Sequence, residues 1–295
     1  MQKHFRSASL RAVSYTLSVF AAIGIFGATA INAQEATSPK RILDFEGNKI
    51  FSKQELLEVA NKCLDGSSKS ENQDEVLDYC LHRVRQFLSA RGYLQAQLGK
   101  PREEQSEGVL KTIVTVKEGA QFRLGEVKVS GATTLTSEQV LGMFDLKAGD
   151  IAASDKIAEW VYERVKKSYG KFGYITYTGE VTPEFHVKDG AREGVVDLDV
   201  TVDEGKRFTI RTIKFEGNGS IPIDALKRDL LLRKGDIFDE ELLQESLTRI
   251  NRSGLFQPID ADRDVDYNSA LGSSQVDLTL HLKKREAALI QLLRP

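Results

Sequence analysis

Cysteine and histidine are scarce in this 295-residue chain, with two of the first and four of the second, scattered singly. Zinc ribbons and fingers draw their ligands from closely spaced pairs, so the pattern excludes a structural metal of that kind. An excess of positive charge is missing as well. With 41 Lys plus Arg against 43 Asp plus Glu the chain is not built to neutralise many phosphates, and nucleic acid is not expected as a partner. His82, His186 and His281 stand far apart, so no triad assembles; catalytic residues, a cofactor and a metal are not expected, and the chain does not read as an enzyme. What is present is 41% apolar residues and 23 glycines, the composition of an ordinary globular protein, over a length that suits two or three domains.

The first 33 residues have the layout of an export signal: Lys3, Arg6 and Arg11, an uncharged apolar run from Ala12 to Ile31, then Asn32 and Ala33. Cleavage after Ala33 would leave Gln34 first, and cleavage after Ala30 is a second option. The run is also long enough to span a bilayer if it is kept as an anchor. Loss of this segment removes three positive charges and leaves a mildly acidic body of about −5. Cys63 and Cys80 then sit where disulfides persist, and a structural bridge between them would close a loop worth ~3 kcal/mol.

The remainder repeats. Ile42–Gly47, Glu126–Gly131 and Thr212–Gly217 each alternate apolar residues before a glycine, the signature of a strand with one buried face. Their glycines are 84 and 86 residues apart. Ser52 with Glu55, and Thr136 with Gln139, form capping boxes that open a short helix. A longer amphipathic helix follows, with Ile157, Trp160, Val161, Val165, Tyr169 and Phe172 on one stripe and Ser154 placed as its cap. Leu77, Leu81, Val84 and Leu88 make the equivalent stripe in the first repeat, and Leu243, Leu247 and Ile250 in the third. These helices stop at Gly92, Gly173 and Gly254, which are 81 and 81 residues apart and suit a left-handed terminating position.

A second strand, a polar connection and a third strand complete each unit. Val196, Leu198, Val200 and Val202 alternate with Asp197, Asp199, Thr201 and Asp203, which gives a sheet buried on one face and wet on the other. The expected fold class is α+β: three tandem β-α-α-β-β modules, each a three-stranded mixed sheet with two helices on one face. The boundaries read 1–33 signal, 41–119, 120–205 and 206–285 modules, and 286–295 a short tail.

This order, with Val116-Lys117-Glu118-Gly119 and Val202-Asp203-Glu204-Gly205 ending two units, resembles the polypeptide-transport-associated (POTRA) domain. Such arrays form the periplasmic part of barrel proteins that insert or export polypeptides at outer membranes. The resemblance covers residues 41 to 284 and implies a periplasmic polypeptide-binding module, associated with the outer membrane and acting in outer-membrane protein assembly or polypeptide transport. Its expected partners are an outer-membrane β-barrel protein or its unfolded precursors, with membrane-peripheral contact as a further option. Two departures stand out: eleven residues follow Lys284 where the family continues into a barrel, and Lys284-Arg285 replaces Glu-Gly. An inner-membrane-anchored scaffold of the cell-division type, or the remnant of a barrel protein lacking its carboxyl-terminal barrel, are the alternatives.

The resemblance assigns a free edge to the second strand of each sheet, which pairs with extended chains largely irrespective of sequence. Here those strands are expected at Tyr93–Leu98, Tyr174–Val181 and Phe256–Ala261. The binding residues would be Tyr93, Leu94, Gln95 and Ala96; Tyr174, Ile175, Thr176, Tyr177 and Thr178; and Phe256 and Gln257, where Pro258 weakens the third edge. Asp260, Asp262, Asp264 and Asp266 lack the glycine and terminal glutamate of a helix-loop-helix calcium loop, and read as the wet face of an edge strand. Lys166, Lys167 and Lys171, beside Phe172 and Tyr174, read as the polar side and end of a helix.

Overall fold

The computed structural model describes residues 40–66, 73–106, 109–219 and 221–285. The export-signal segment, its alternative as an anchor, and the tail at 286–295 lie outside the described residues. Among the described residues no helix is long and apolar enough to cross a membrane.

Module 1 runs β1 (Lys40–Glu46), α1 (Lys53–Gly66), α2 (Gln73–Ser89), β2 (Gln97–Leu98), β3 (Arg102–Ser106) and β4 (Val109–Lys117). β4 is central, parallel to β1 on one side and antiparallel to β2 and β3 on the other. The second strand is therefore in two pieces, divided at Gly99-Lys100-Pro101, and the sheet has four strands rather than three. Proline has no donor for the ladder, so the break falls where the chain cannot pair continuously. Phe45, Leu56, Leu81, Val84, Leu88, Val114 and Val116 form the core between sheet and helices. The Cys63 and Cys80 sulfurs are bonded, joining α1 to α2 with Cα atoms 5.5 Å apart.

Module 2 runs β5 (Gln121–Ser130), α3 (Ser137–Leu141), α4 (Ser154–Ala158), a π-helical stretch (Glu159–Val165), α5 (Lys166–Gly170), β6 (Thr178–His186) and β7 (Glu193–Asp203). α4, the π-helical stretch and α5 make one continuous rod. Its sheet order is β5-β7-β6, with β5 parallel and β6 antiparallel to the central strand. Thr136 and Gln139 form a reciprocal capping box on α3. Trp160, Val161, Val165, Tyr169 and Tyr177 fill the core against Val200 and Val202, each large buried side chain contributing ~1.5–3 kcal/mol. Two helix expectations need correction. Ala153, without a side-chain bond, is the N-cap; Ser154 is the first helical residue, and its hydroxyl meets Ser89 Oγ at 2.7 Å. Phe172 lies past the end of the rod and is 41% exposed, because the helix has already closed at Gly170.

Module 3 runs β8 (Thr209–Glu216), α6 (Ile223–Asp229), α7 (Glu240–Arg252), α8 (Ala261–Asp264), β9 (Val265–Asn268) and β10 (Gln275–His281), with sheet order β8-β10-β9. The fold is thus α+β with mixed sheets, as the periodicities imply. In the third repeat, however, Phe256–Ala261 is not a strand. Phe256 is buried and makes an isolated bridge to Lys284, Pro258 follows, and Asp260 caps α8 by accepting from the Asp262 and Arg263 N–H groups. Of the acidic series, Asp266 lies exposed on edge strand β9, whereas Asp260 and Asp262 belong to the cap and turn of α8. Asp264 is buried and paired with Arg263 at 2.7 Å. Alternation alone cannot distinguish a strand from a cap followed by one helical turn.

The predicted edge residues also shift. Tyr93–Ala96 and Tyr174–Tyr177 form turns ahead of β2 and β6. Tyr93 and Tyr177 are drawn into the cores of their own modules, the Tyr177 hydroxyl donating to Val161 O at 3.2 Å. Leu94 and Ile175 pack into the module that follows. Burial of these side chains holds the chain off the sheet until Gln97 and Thr178. Of the expected edge spans, Gln97–Leu98 and Thr178–Val181 do lie on second strands, and of the named binding residues Thr178 is the one that does.

Candidate functional site

β6 is the longest second strand, paired with β7 over nine residues from Thr178 to His186. Among the described residues, no backbone hydrogen bond reaches its outer side. The direction of its backbone groups follows from the strands behind it. Phe122 and Leu124 of β5 each commit both N–H and C=O away from β7: Phe122 to Gly92 O and the Ala152 N–H, Leu124 to Asp150 O and the Gly149 N–H. Arg123 between them therefore faces β7, and alternation turns the odd-numbered residues of β7 toward β6. Their partners on β6 are the even-numbered ones, Thr178 to His186. The outer edge is left with the N–H and C=O of Gly179, Val181 and Phe185 and the C=O of Pro183. Pro183 stands where a ladder donor is not needed, as proline in an edge strand must.

The side chains of β6 divide in the same rhythm. Val181 and Phe185 pack toward the core, Phe185 meeting Phe122 edge-on at 4.8 Å between ring centroids. Thr178, Glu180, Thr182, Glu184 and His186 are exposed on the other face. His186 Nε2 lies 2.9 Å from Asp197 Oδ2 on β7 and 3.9 Å from Glu184.

The corresponding edges in the other modules are smaller. β2 offers two residues, and β3 is tied down by Arg102, which bonds Glu46 at 2.9 Å and also pairs with Glu104. β9 has four residues. His281 of β10 spans that sheet, with Nε2 2.8 Å from Asp266 and Nδ1 3.3 Å from Glu216; the hydrogen bond to Asp266 raises its pKa.

In modules 1 and 2 a buried or half-buried carboxylate holds the loop after the first strand. Glu118 Oε1 accepts from the N–H groups of Lys49 and Ile50 at 2.8 and 3.0 Å. Glu204 Oε1 accepts from Thr133 and Thr134 N–H at 2.6 and 2.7 Å, and from the Tyr169 hydroxyl at 3.0 Å. Burial works to raise the Glu204 pKa, but the Thr133 and Thr134 donors outweigh it and hold the carboxyl at about 2.

The modules meet through a joint used twice. The Phe122 N–H donates to Gly92 O at 2.8 Å and Ala152 N–H to Phe122 O at 3.0 Å; the Phe208 N–H donates to Gly173 O at 2.8 Å and Phe238 N–H to Phe208 O at 3.0 Å. Beside each, a tight loop pairs with the same first strand. Gly149 N–H donates to Leu124 O and Gly235 N–H to Ile210 O, both at 2.7 Å. Within those loops Asp150 and Asp236 each accept a backbone N–H, from Lys147 and Arg233, at 2.8 Å. Sequence reasoning overlooked these loops, although Leu146-Lys147-Ala148-Gly149-Asp150-Ile151 and Leu232-Arg233-Lys234-Gly235-Asp236-Ile237 are visible as a repeat. Among the described residues no three His, Cys, Asp or Glu side chains are grouped to hold a metal ion.

The fold and joints define a tandem array of β-α-α-β-β modules, each with a second strand at the sheet edge. The family profile described as "POTRA: Surface antigen variable number repeat" matches residues 122–205 and 208–285, together more than half of the chain. The chain belongs to the POTRA family. It is 23% identical over 279 residues to the outer membrane protein assembly factor BamA of Nitratidesulfovibrio vulgaris, covering 87% of this chain and 34% of that protein. To BamA of Neisseria meningitidis serogroup B it is 21% identical over 260 residues, covering 85% and 31%. The chain thus spans about a third of the length of the curated relatives it matches. The crystal structure of Haemophilus influenzae BamA POTRA3-5 superposes with a TM-score of 0.63 at 22% identity, over 84% of this chain and 96% of that one.

Proposed function

We propose that the chain works on the periplasmic side of an outer membrane in protein assembly, holding extended segments of unfolded barrel precursors or of a partner barrel protein. Each segment is added as a strand along β6. The observation that carries this reading is the open edge itself: N–H and C=O groups of Gly179, Val181 and Phe185 point outward with no described partner. An extended chain supplies the missing half of that ladder with its backbone, which accommodates many clients at low affinity. The names of the BamA relatives supply the process. β2, β3 and β9 are secondary places, shorter or pinned by ion pairs.

The test is a photocrosslinking side chain at Thr182, exposed on β6, in the full chain mixed with urea-unfolded barrel precursor. Adducts are expected at Thr182 and not at exposed Thr248 on α7. Equal labelling at both positions, or none at either, sinks the reading.

A further inference from the structure

The charge around the open edge is one-sided. An incoming strand beside β6 places alternate side chains on the two faces of the sheet. On the inner face its neighbours are Gly179, Val181, Pro183 and Phe185, all apolar. On the solvated face they are Thr178, Glu180, Thr182, Glu184 and His186. Behind them stand Asp197, Asp199 and Asp203 on β7, and Arg123, Glu126 and Lys128 on β5.

The basic side chains in that set already have carboxylate neighbours. Arg123 lies 3.8 Å from Glu193, Lys128 3.2 Å from Glu126, and His186 2.9 Å from Asp197. Glu184 has only the distant His186 at 3.9 Å. Among the described residues, Glu180, Asp199 and Asp203 form no ion pair. The edge therefore presents unpaired backbone groups flanked by carboxylates on one face and apolar side chains on the other.

We infer that β6 selects extended segments in which apolar residues alternate with lysine or arginine, the basic side chains lying against Glu180 and Glu184. This rests on the strand-addition reading above and adds the class of client to it. Opposite charges on neighbouring strands attract and like charges repel. A segment with acidic residues at the same positions meets two glutamates directly and the β7 aspartates behind them. Two favourable pairs against two unfavourable ones amount to a spread of roughly tenfold in affinity.

The experiment uses three fluorescein-labelled peptides with the same apolar residues, whose alternate positions are all lysine, all threonine or all glutamate. Each is titrated into the full chain by anisotropy, with the crosslinker at Thr182 reporting where it binds. The lysine peptide should bind tightest and the glutamate peptide weakest, and the spread should collapse in high salt, which screens exposed charges. In a Glu180→Lys/Glu184→Lys double variant, its fold checked by circular dichroism, the order should reverse. If all three peptides crosslink at β6 with equal affinity, charge selection is wrong while strand addition stands. If none crosslinks at β6, the strand-addition reading falls and this inference with it.

Discussion

Glu204 shows how one residue can lock a module. Its carboxylate gathers two threonine N–H groups, both threonine hydroxyls and the Tyr169 phenol. The charged form is the bonded form, and burial cannot overcome those donors, so the folded pKa lies at about 2. An unfolded chain returns the group to the ordinary glutamate value, about 4.3. The carboxyl binds its proton more readily in the unfolded state, so its contribution is complete above that value and is lost as pH falls from about 4.3 toward about 2. Glu204→Gln should cost ~1–3 kcal/mol at neutral pH and should remove this part of the acid sensitivity. The chain has a single tryptophan; Trp160 is buried in the same module, so its fluorescence in urea titrations across that pH range reads the effect. A variant with an unchanged pH profile would show that the carboxylate does not anchor the loop.

At the scale of elements, the order of strands and helices was legible because period-two and period-three-to-four patterns repeat at nearly constant spacing. Phe45, Trp160, Leu243 and Val200 are buried where the stripes place them. The second strands were less legible. Tyr93, Tyr177 and Phe256 have the apolar, aromatic character of strand residues, but here they serve as core plugs, the two tyrosines beside turns and Phe256 in an isolated bridge, a distinction made by tertiary packing and not by propensity. The π-helical stretch left no pattern that the sequence reading caught, and Pro183 marks the true β6 more sharply than any aromatic does. In module 1, α1 and α2 are cross-linked by Cys63 and Cys80 at a sequence separation of 17. Closing that loop limits the unfolded chain, so a Cys63→Ser/Cys80→Ser variant should lose ~3 kcal/mol from this helix pair. Amide exchange should quicken in α1 and α2 while Trp160 fluorescence reports an unchanged module 2; unaltered exchange would show that packing alone holds the pair.

Across the whole array, the spacing of the open edges depends on the joints, and each joint depends on a glycine that another module approaches. Gly173 has φ +87°, and a Cβ there would come 2.9 Å from both Ile237 Cγ2 and Phe208 O. Gly92 would meet Ile151 Cγ2 at 2.8 Å and Phe122 O at 3.0 Å. Gly254 occupies the same place at the end of α7 with φ +70°, and a Cβ there would have no neighbour within 4 Å among the described residues. The pair Gly173→Ala and Gly254→Ala therefore separates two effects. Both variants bear the left-handed strain, about 1–2 kcal/mol; Gly173→Ala adds the collision with module 3, about 1–3 kcal/mol more. The collision also pushes Phe208 away from the Gly173 carbonyl, so the 2.8 Å bond that fixes module 3 against module 2 should lengthen or break. In calorimetry Gly254→Ala should lower a single transition, whereas Gly173→Ala should lower it further and divide it as module 3 uncouples. Spin labels at exposed Tyr162 and Leu271, one on each of these modules, should then report a broadened distance distribution in Gly173→Ala only. Equal shifts and equal distance distributions in the two variants would mean that the glycine carbonyl does not set the joint, and that the spacing between edges is fixed by other contacts.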